Sequence, residues 1–350
     1  MLKNENVILV TGGTGLAGTH LLYDLCKSGK RIRVLKRSRS NTDNVKKVFS
    51  YYTSDPDQLL KNIEWVDAYL LDVYSLIDAM DGVTEVYHCA AMVSFEPKDE
   101  EAMMKINIEG TANMVNAAME KGIKKFCHIS SIATIGRDEH SPVSSEEQFW
   151  KSSPDHSNYA LSKYAAEREV WRASEEGLDV VIVNPSLILG ACSWQQSSGT
   201  LFATGYKGIK YYTEGVNGFV DVRDVSAIMI LLMESEIKNQ RYILNSENMP
   251  YKDFFDLMNI EFGRPKAGIK AGKALSSFAW RAEKIKSMIT GAAPMITKET
   301  ANSSQRISCF SNQKILKVFP DYKFITIDQS VKDTCKLFKR DLSPALNRPL

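Results

Sequence analysis

Val7-Ile8-Leu9-Val10-Thr11-Gly12-Gly13-Thr14-Gly15-Leu16-Ala17-Gly18 reads as an apolar, β-branched strand, a glycine turn and the first residues of a helix, in that order. The order gives Gly13-x-Gly15-x-x-Gly18 a physical meaning. One glycine turns the chain tightly, one lets backbone approach a pyrophosphate, and one packs helix on strand, with the phosphates at the positive helix N-terminus. A glycine pattern alone is equally a tight βα turn, and the flanking strand and helix are what favour a dinucleotide. The expected contacts are Gly12, Gly13, Thr14, Gly15, Leu16, Ala17 and Gly18.

Outward from this loop, short β-branched runs alternate with longer helical patterns, as an α/β fold of the Rossmann type with a doubly wound parallel sheet requires. Strands are expected at about 7–11, 31–36, 63–70, 85–90, 125–130 and 179–184, and Ala102–Lys121 and Tyr159–Gly177 carry apolar residues at helical spacing. After about residue 190 the sequence becomes rich in Ser, Gly and aromatics, with regular pattern returning at Gly218–Met233 and Arg241–Asn245. The expected organisation is a nucleotide-binding domain over 1–190 with about 218–245 returning to it. A smaller, discontinuous C-terminal substrate domain takes about 191–217 and 246–342, and 343–350 is a loose tail.

The second strand ends Lys36-Arg37-Ser38. An acid at this point would hold the ribose hydroxyls of NAD, whereas a guanidinium can grip a 2′-phosphate in a fork, with Lys36 and Ser38 adding donors. NADP(H) is therefore favoured over NAD(H); the plain alternative is a solvated strand end.

Tyr159-Ala160-Leu161-Ser162-Lys163 places a phenol and an ammonium four residues apart, on one helix face. A tyrosine with a reference pKa of about 10 is a poor base at neutral pH, and a neighbouring cation makes its proton transferable. His128-Ile129-Ser130-Ser131 ends a buried strand in hydroxyls where such a sheet opens its crevice, so Ser131 can bond a substrate oxygen. Alone, the Tyr/Lys pair is close to noise; the three features in this order are not. His156 reads as a surface residue, and His88 and His128 as core residues hydrogen-bonded to backbone.

With these residues the chain resembles the extended short-chain dehydrogenase/reductase superfamily, which includes the NAD-dependent epimerase/dehydratase family. Thr11-Gly12-x-x-Gly15-x-x-Gly18, His88-Cys89-Ala90-Ala91, Asn107-Ile108-Glu109-Gly110-Thr111, Asn184-Pro185-Ser186 and Phe219-Val220-Asp221-Val222-Arg223-Asp224-Val225 are similar to its motifs. The resemblance implies that Ser131 stabilises oxygen, Tyr159 exchanges the proton, and Lys163 tunes the tyrosine and binds ribose. It also implies cofactor contacts at Leu70, Ala90, Ala91, Pro185 and Ser186. Where the family often carries G-D-L-x-D, this chain reads Ala68-Tyr69-Leu70-Leu71-Asp72, so Tyr69 either covers the adenine or fills the outer side of the strand.

Within that superfamily the motifs are closest to dihydroflavonol and 3β-hydroxysteroid reductases. A sugar nucleotide needs cations for its diphosphate, and Leu189–Trp194 has none before Lys207, while Trp194, Phe202, Tyr206, Tyr211 and Tyr212 suggest an apolar pocket. The favoured function is an oxidoreductase interconverting a carbonyl and an alcohol on an apolar small molecule. The alternatives are a sugar-nucleotide epimerase/dehydratase with bound NAD, and a cofactor-binding regulator without turnover.

The 44 Lys+Arg against 42 Asp+Glu leave a formal charge of +2, which offers no general field for nucleic acid. Six cysteines without a C-x-x-C pair and five histidines give no zinc spacing, and fit a cytoplasmic protein with reduced thiols and no metal. Charge concentrates in 264–291, where seven basic residues face only Glu283 and Leu275, Phe278, Ala279, Ala282, Ile285 and Ile289 recur at helical spacing. The plain expectation is a stripe packed on the small domain with its lysines solvated; the functional one is weak contact with anionic membrane. The sequence leaves room for a homodimer.

Overall fold

The computed structural model describes residues 7–137, 141–153, 156–290 and 297–343, with the side chains of Ile289 and Thr290 and most of the expected tail outside the description. The opening stretch forms β1 (Val7–Thr11) and α1 (Leu16–Lys27). The remaining strands of the main sheet are β2 (Arg31–Lys36), β3 (Ile63–Asp67), β4 (Val83–His88), β5 (Lys125–Ile129), β6 (Val180–Pro185) and β9 (Gln240–Leu244). They make a seven-stranded sheet in the order β9-β6-β5-β4-β1-β2-β3, with every pairing parallel. The order reverses between β1 and β4, where a doubly wound sheet opens its ligand crevice.

Side-chain alternation in β1 builds both layers of core. Ile8 and Val10 face Leu21, Leu22 and Leu25 of α1 and Val225, Ile228 and Leu232 of α5 (Val222–Glu234). Leu9 faces the other way, toward Met114, Val115 and Ala118 of α2 (Gly110–Glu120) and Val170 and Ala173 of α3 (Asn158–Glu175).

The strand ends differ from expectation for visible reasons. β3 stops at Asp67 because Asp72 closes a turn on Tyr69 O and caps the following helix through Ser75 N. β4 stops at His88 because Ala90 N turns to the Thr11 hydroxyl. The helical stretch expected over 102–121 is three joined segments, Glu100–Met104, a π turn at Lys105–Glu109, and α2.

A second sheet, in the order β10-β8-β7, joins β7 (Leu187–Leu189), β8 (Val216–Asp221) and β10 (Glu247–Pro250). Its core contains Phe219 together with Phe202 of α4 (Gly199–Lys207), Phe254 and Met258 of α6 (Tyr251–Glu261), and Val331 and Phe338 of α8 (Ile327–Leu342). This core absorbs aromatics expected to line a pocket: Trp194 and Phe202 are buried in it, and Tyr206 packs on Phe262 and Phe338. Aromatic side chains this large stabilise a small core best when buried. α7 (Lys273–Thr290) lies on the surface against Lys298–Ser303, and it does not bury its apolar stripe as expected.

Candidate active site

The glycine loop is fixed by close packing. Gly12 has φ +69°, and a Cβ there would lie 2.6 Å from Ala90 N. A Cβ on Gly18 would lie 2.2 Å from Gly12 O, so helix and turn touch backbone to backbone. Thr19 Oγ1 donates to Gly13 O (3.0 Å) and Gly15 O (2.6 Å), locking the turn from inside. Gly15, by contrast, is exposed, and α1 begins after it with no side chain capping its first N–H groups. An exposed, uncapped N-terminus behind a rigid glycine turn fits the pyrophosphate of a dinucleotide.

His88 carries the loop's position across to the next strand. Ala90 N donates to Thr11 Oγ1 (3.1 Å), which lies 2.8 Å from His88 Nδ1, and His88 Nε2 lies 3.1 Å from Thr111 Oγ1. Burial lowers the His88 pKa to about 3 and keeps the ring neutral, so of these two bonds the ring donates one and accepts the other. Its partners are side chains and not the expected backbone. His128, stacked on His88 at 5.4 Å, has no partner for either ring nitrogen among the described residues. Burial holds its pKa far below the ordinary histidine value.

At the end of β2, Arg37 and Ser38 are exposed, and the Arg37 guanidinium has no partner among the described residues. Lys36 is less available than expected, because Nζ is bound to Asp67 Oδ1 at 2.5 Å. Leu70 is half-buried against Gly110, with its carbonyl held by Asn113 Nδ2 (2.9 Å), and Tyr69 stands 44% exposed beside it. Ala90 is half-buried and Ala91 exposed. Pro185 is buried at the end of β6, and the Ser186 N–H and hydroxyl both donate to Leu244 O (2.9 and 3.2 Å), which occupies its donors within the sheet.

Ser131, Tyr159 and Lys163, the three residues expected to carry the chemistry, lie near the C-terminal ends of the central strands. Ser157 caps α3 by accepting from Ala160 N (2.9 Å), which starts the helix so that Tyr159 and Lys163 occupy successive turns of one face. The Ser131 hydroxyl lies beside that of Tyr159 and favours its ionised form, and Ser131 Oγ accepts from Ala133 N (3.1 Å). Burial raises the Tyr159 pKa, with the Ser131 contact opposing. Phe95 packs edge-on to Tyr159 at 5.6 Å and makes that wall apolar. Lys163 is 2% exposed, donates to Ile129 O (2.7 Å), and is lowered by burial to about 8.

Four further residues, three buried and Arg241 partly so, support the site beyond those expected from the sequence. Glu167 Oε2 accepts from Ser130 (2.5 Å), Thr134 (2.7 Å) and Asn184 (2.9 Å), and Oε1 from Trp171 and Arg241 (both 3.2 Å). Asn184 Nδ2 also reaches Ser131 O (3.2 Å), so this carboxylate and amide fix the main chain that carries Ser131. Arg241 ties the cluster to Glu146 O (2.6 Å). Asn107, inside the π turn, exchanges bonds with Met92 N and O (2.7 and 2.9 Å) and donates to Ser162 Oγ (3.0 Å). Glu167 follows Lys163 by four residues, a spacing that could have pointed to it. His156, expected at the surface, is half-buried: it stacks on Trp150 at 3.9 Å and bonds Lys151 O.

Between the glycine loop and the start of α4 lies a cavity of about 30 Å³ lined by Thr14, Gly15, Gly190, Cys192, Ser193 and Gln196 among others, none charged. Among the described residues no His, Cys, Asp or Glu group is arranged to hold a metal ion, and no helix is long and apolar enough to cross a membrane.

The family model described as the NAD dependent epimerase/dehydratase family matches residues 8–244. The putative dihydroflavonol 4-reductase of Synechocystis sp. is 29% identical over 323 residues, 88% of each chain. The sterol demethylase protein B of Methylococcus capsulatus is 28% identical over 262 residues, 74% of this chain and 75% of the relative. Among solved structures, that of gox2253 superposes with a TM-score of 0.78 at 30% identity, covering 96% of this chain and 98% of the other.

Proposed function

The chain belongs to the NAD dependent epimerase/dehydratase family and is an NAD(P)-dependent enzyme of the extended short-chain type, and from that premise we propose that it is an NADP(H)-dependent reductase of an apolar carbonyl compound. The observation that carries this reading is the pairing of Tyr159 with Ser131 beside the Phe95 ring, with Lys163 buried behind them.

A bound nicotinamide supplies the hydride in the reductive direction. Tyr159, kept as a neutral phenol by burial, donates its proton to the substrate oxygen, and the Ser131 hydroxyl bonds that same oxygen. Lys163, lowered to about 8, is largely a cation at neutral pH and favours the phenolate that proton transfer leaves behind. Arg37, exposed and with its guanidinium unpartnered among the described residues, is free to fork onto a 2′-phosphate, which supports the choice of NADP(H). The relatives named for a dihydroflavonol and a sterol support an apolar substrate. Six free thiols suit a reducing, cytoplasmic setting.

The test is NADPH consumption against aldehydes and ketones of increasing apolar size, with NADPH and NADH affinities measured in parallel. Turnover is expected, Tyr159→Phe should lower it by roughly 10²–10⁴-fold with cofactor binding retained, and Arg37→Asp should erase the preference for NADPH. Tightly held NAD with turnover of sugar nucleotides would overturn the reading in favour of an epimerase. Cofactor affinity with no turnover on any substrate would overturn it in favour of a regulator.

A further inference from the structure

α7 is an amphipathic helix mounted the wrong way round for a soluble domain. Its less exposed positions are Ser276, Ser277, Ala279, Trp280, Glu283 and Ser287, so a largely polar and small-residue face meets the protein. Its apolar stripe faces solvent, with Leu275 at 41%, Phe278 at 71%, Ile285 at 59% and Met288 at 77% exposure. Phe278 and Ile285 are seven residues apart and therefore fall almost in line at 3.6 residues per turn, with Leu275 one turn away. Surface helices ordinarily bury such a stripe, and an exposed one marks a contact surface.

Charge selects the occupant. Within α7 itself stand Lys273, Arg281, Lys284 and Lys286 against the single acid Glu283. At 100° per residue Lys284 and Lys286 fall on opposite flanks of the stripe, while Arg281 falls between Ile285 and Met288 and lies 4.6 Å over the Trp280 ring. A two-fold contact would bring this cationic surface onto a copy of itself, opposing like charges. An apolar stripe with cationic flanks instead matches acyl chains beneath anionic headgroups.

We propose that the outer face of α7 docks the enzyme on an anionic lipid bilayer, lying in the interface without crossing it. The placement suits access to the active site. α7 packs on Lys298–Ser303, and Glu299 from that segment is hydrogen-bonded with Ser157, the cap of the helix carrying Tyr159. The docking face is thus one helix away from the catalytic tyrosine. Docking does not depend on which carbonyl compound is reduced.

The intact protein is floated with vesicles of phosphatidylcholine alone and of phosphatidylcholine with about one-third phosphatidylserine. Binding to the anionic vesicles is expected at low salt, with at least about a tenfold loss at high salt, where the Debye length falls to roughly 3 Å. Phe278→Glu with Ile285→Glu, and separately Arg281→Glu with Lys284→Glu, should each lower the partition coefficient at least about tenfold. All four side chains lie on the exposed surface, so NADPH affinity should be unchanged in both variants. Absence of binding to anionic vesicles at low salt would overturn the proposal, as would binding that survives both variants. A dimer that Phe278→Glu with Ile285→Glu converts to monomer would assign the face to a second copy and overturn it equally.

Discussion

Replacing Lys163 by Met should abolish activity while leaving the cofactor-free fold near its wild-type stability, with a difference that changes with pH. Burial lowers the ammonium from its ordinary 10.5 to about 8, and at ~1.36 kcal/mol per pKa unit its charge costs the folded state about 3 kcal/mol at neutral pH. Met removes that cost but leaves Ile129 O without its donor, a loss of about 1–3 kcal/mol. The two nearly cancel at pH 7. Between about 8 and 10.5 the unfolded lysine stays protonated while the folded one does not, so wild-type stability rises with pH through this window. The variant lacks that rise. Moving from pH 7 to about pH 9.5 should therefore shift the stability difference by about 2 kcal/mol in favour of wild type. Urea unfolding of both proteins without cofactor measures it. An unchanged difference would refute the idea that Lys163 is held as a strained cation.

Glu167→Gln should destabilise by about 3–5 kcal/mol in urea unfolding, because it removes a buried charge that pairs with Arg241 and turns an amide N–H₂ toward existing donors. Gly12→Ala should cost well beyond the ~1–2 kcal/mol of a left-handed alanine, since its Cβ also meets Ala90 backbone, and should weaken NADPH binding. Gly29→Ala has a similar φ of +75° but open space around it, so thermal unfolding should register only the backbone cost of about 1–2 kcal/mol.

Short-range pattern made much of the molecule legible. The run Val7–Thr11 reads as a strand because apolar β-branched residues and a glycine turn have few other stable arrangements. Tyr159 and Lys163 could be paired because helical spacing alone puts them on one face. Contacts made by partners distant in sequence were not legible. Asp67 takes Lys36 only once β2 and β3 lie side by side, which no local reading of Lys36-Arg37-Ser38 contains. Glu167 meets Ser130, Asn184 and Arg241 across three strands. The direction in which α7 faces was likewise hidden: periodicity identifies an apolar stripe, and tertiary packing decides whether that stripe is covered.

The active helix gains from this division. Tyr159, Lys163 and Glu167 stand four residues apart on α3, and their increasing distance from the helix entrance sets three different surroundings. Tyr159, in the first turn, meets Ser131 and Phe95, where burial keeps its proton on. Lys163, one turn deeper, has Ile129 O as its one hydrogen-bond partner among the described residues, which leaves its ammonium with unused donors. Glu167, another turn in, is saturated by Ser130, Thr134, Asn184, Trp171 and Arg241. Its negative charge is also what raises Lys163 against desolvation. A saturated anion therefore supports an under-satisfied cation, which in turn stands behind a neutral acid. Removing Glu167 should lower the Lys163 pKa further and move the alkaline limb of any pH–rate profile to lower pH, and replacing Ser131 should leave that limb in place.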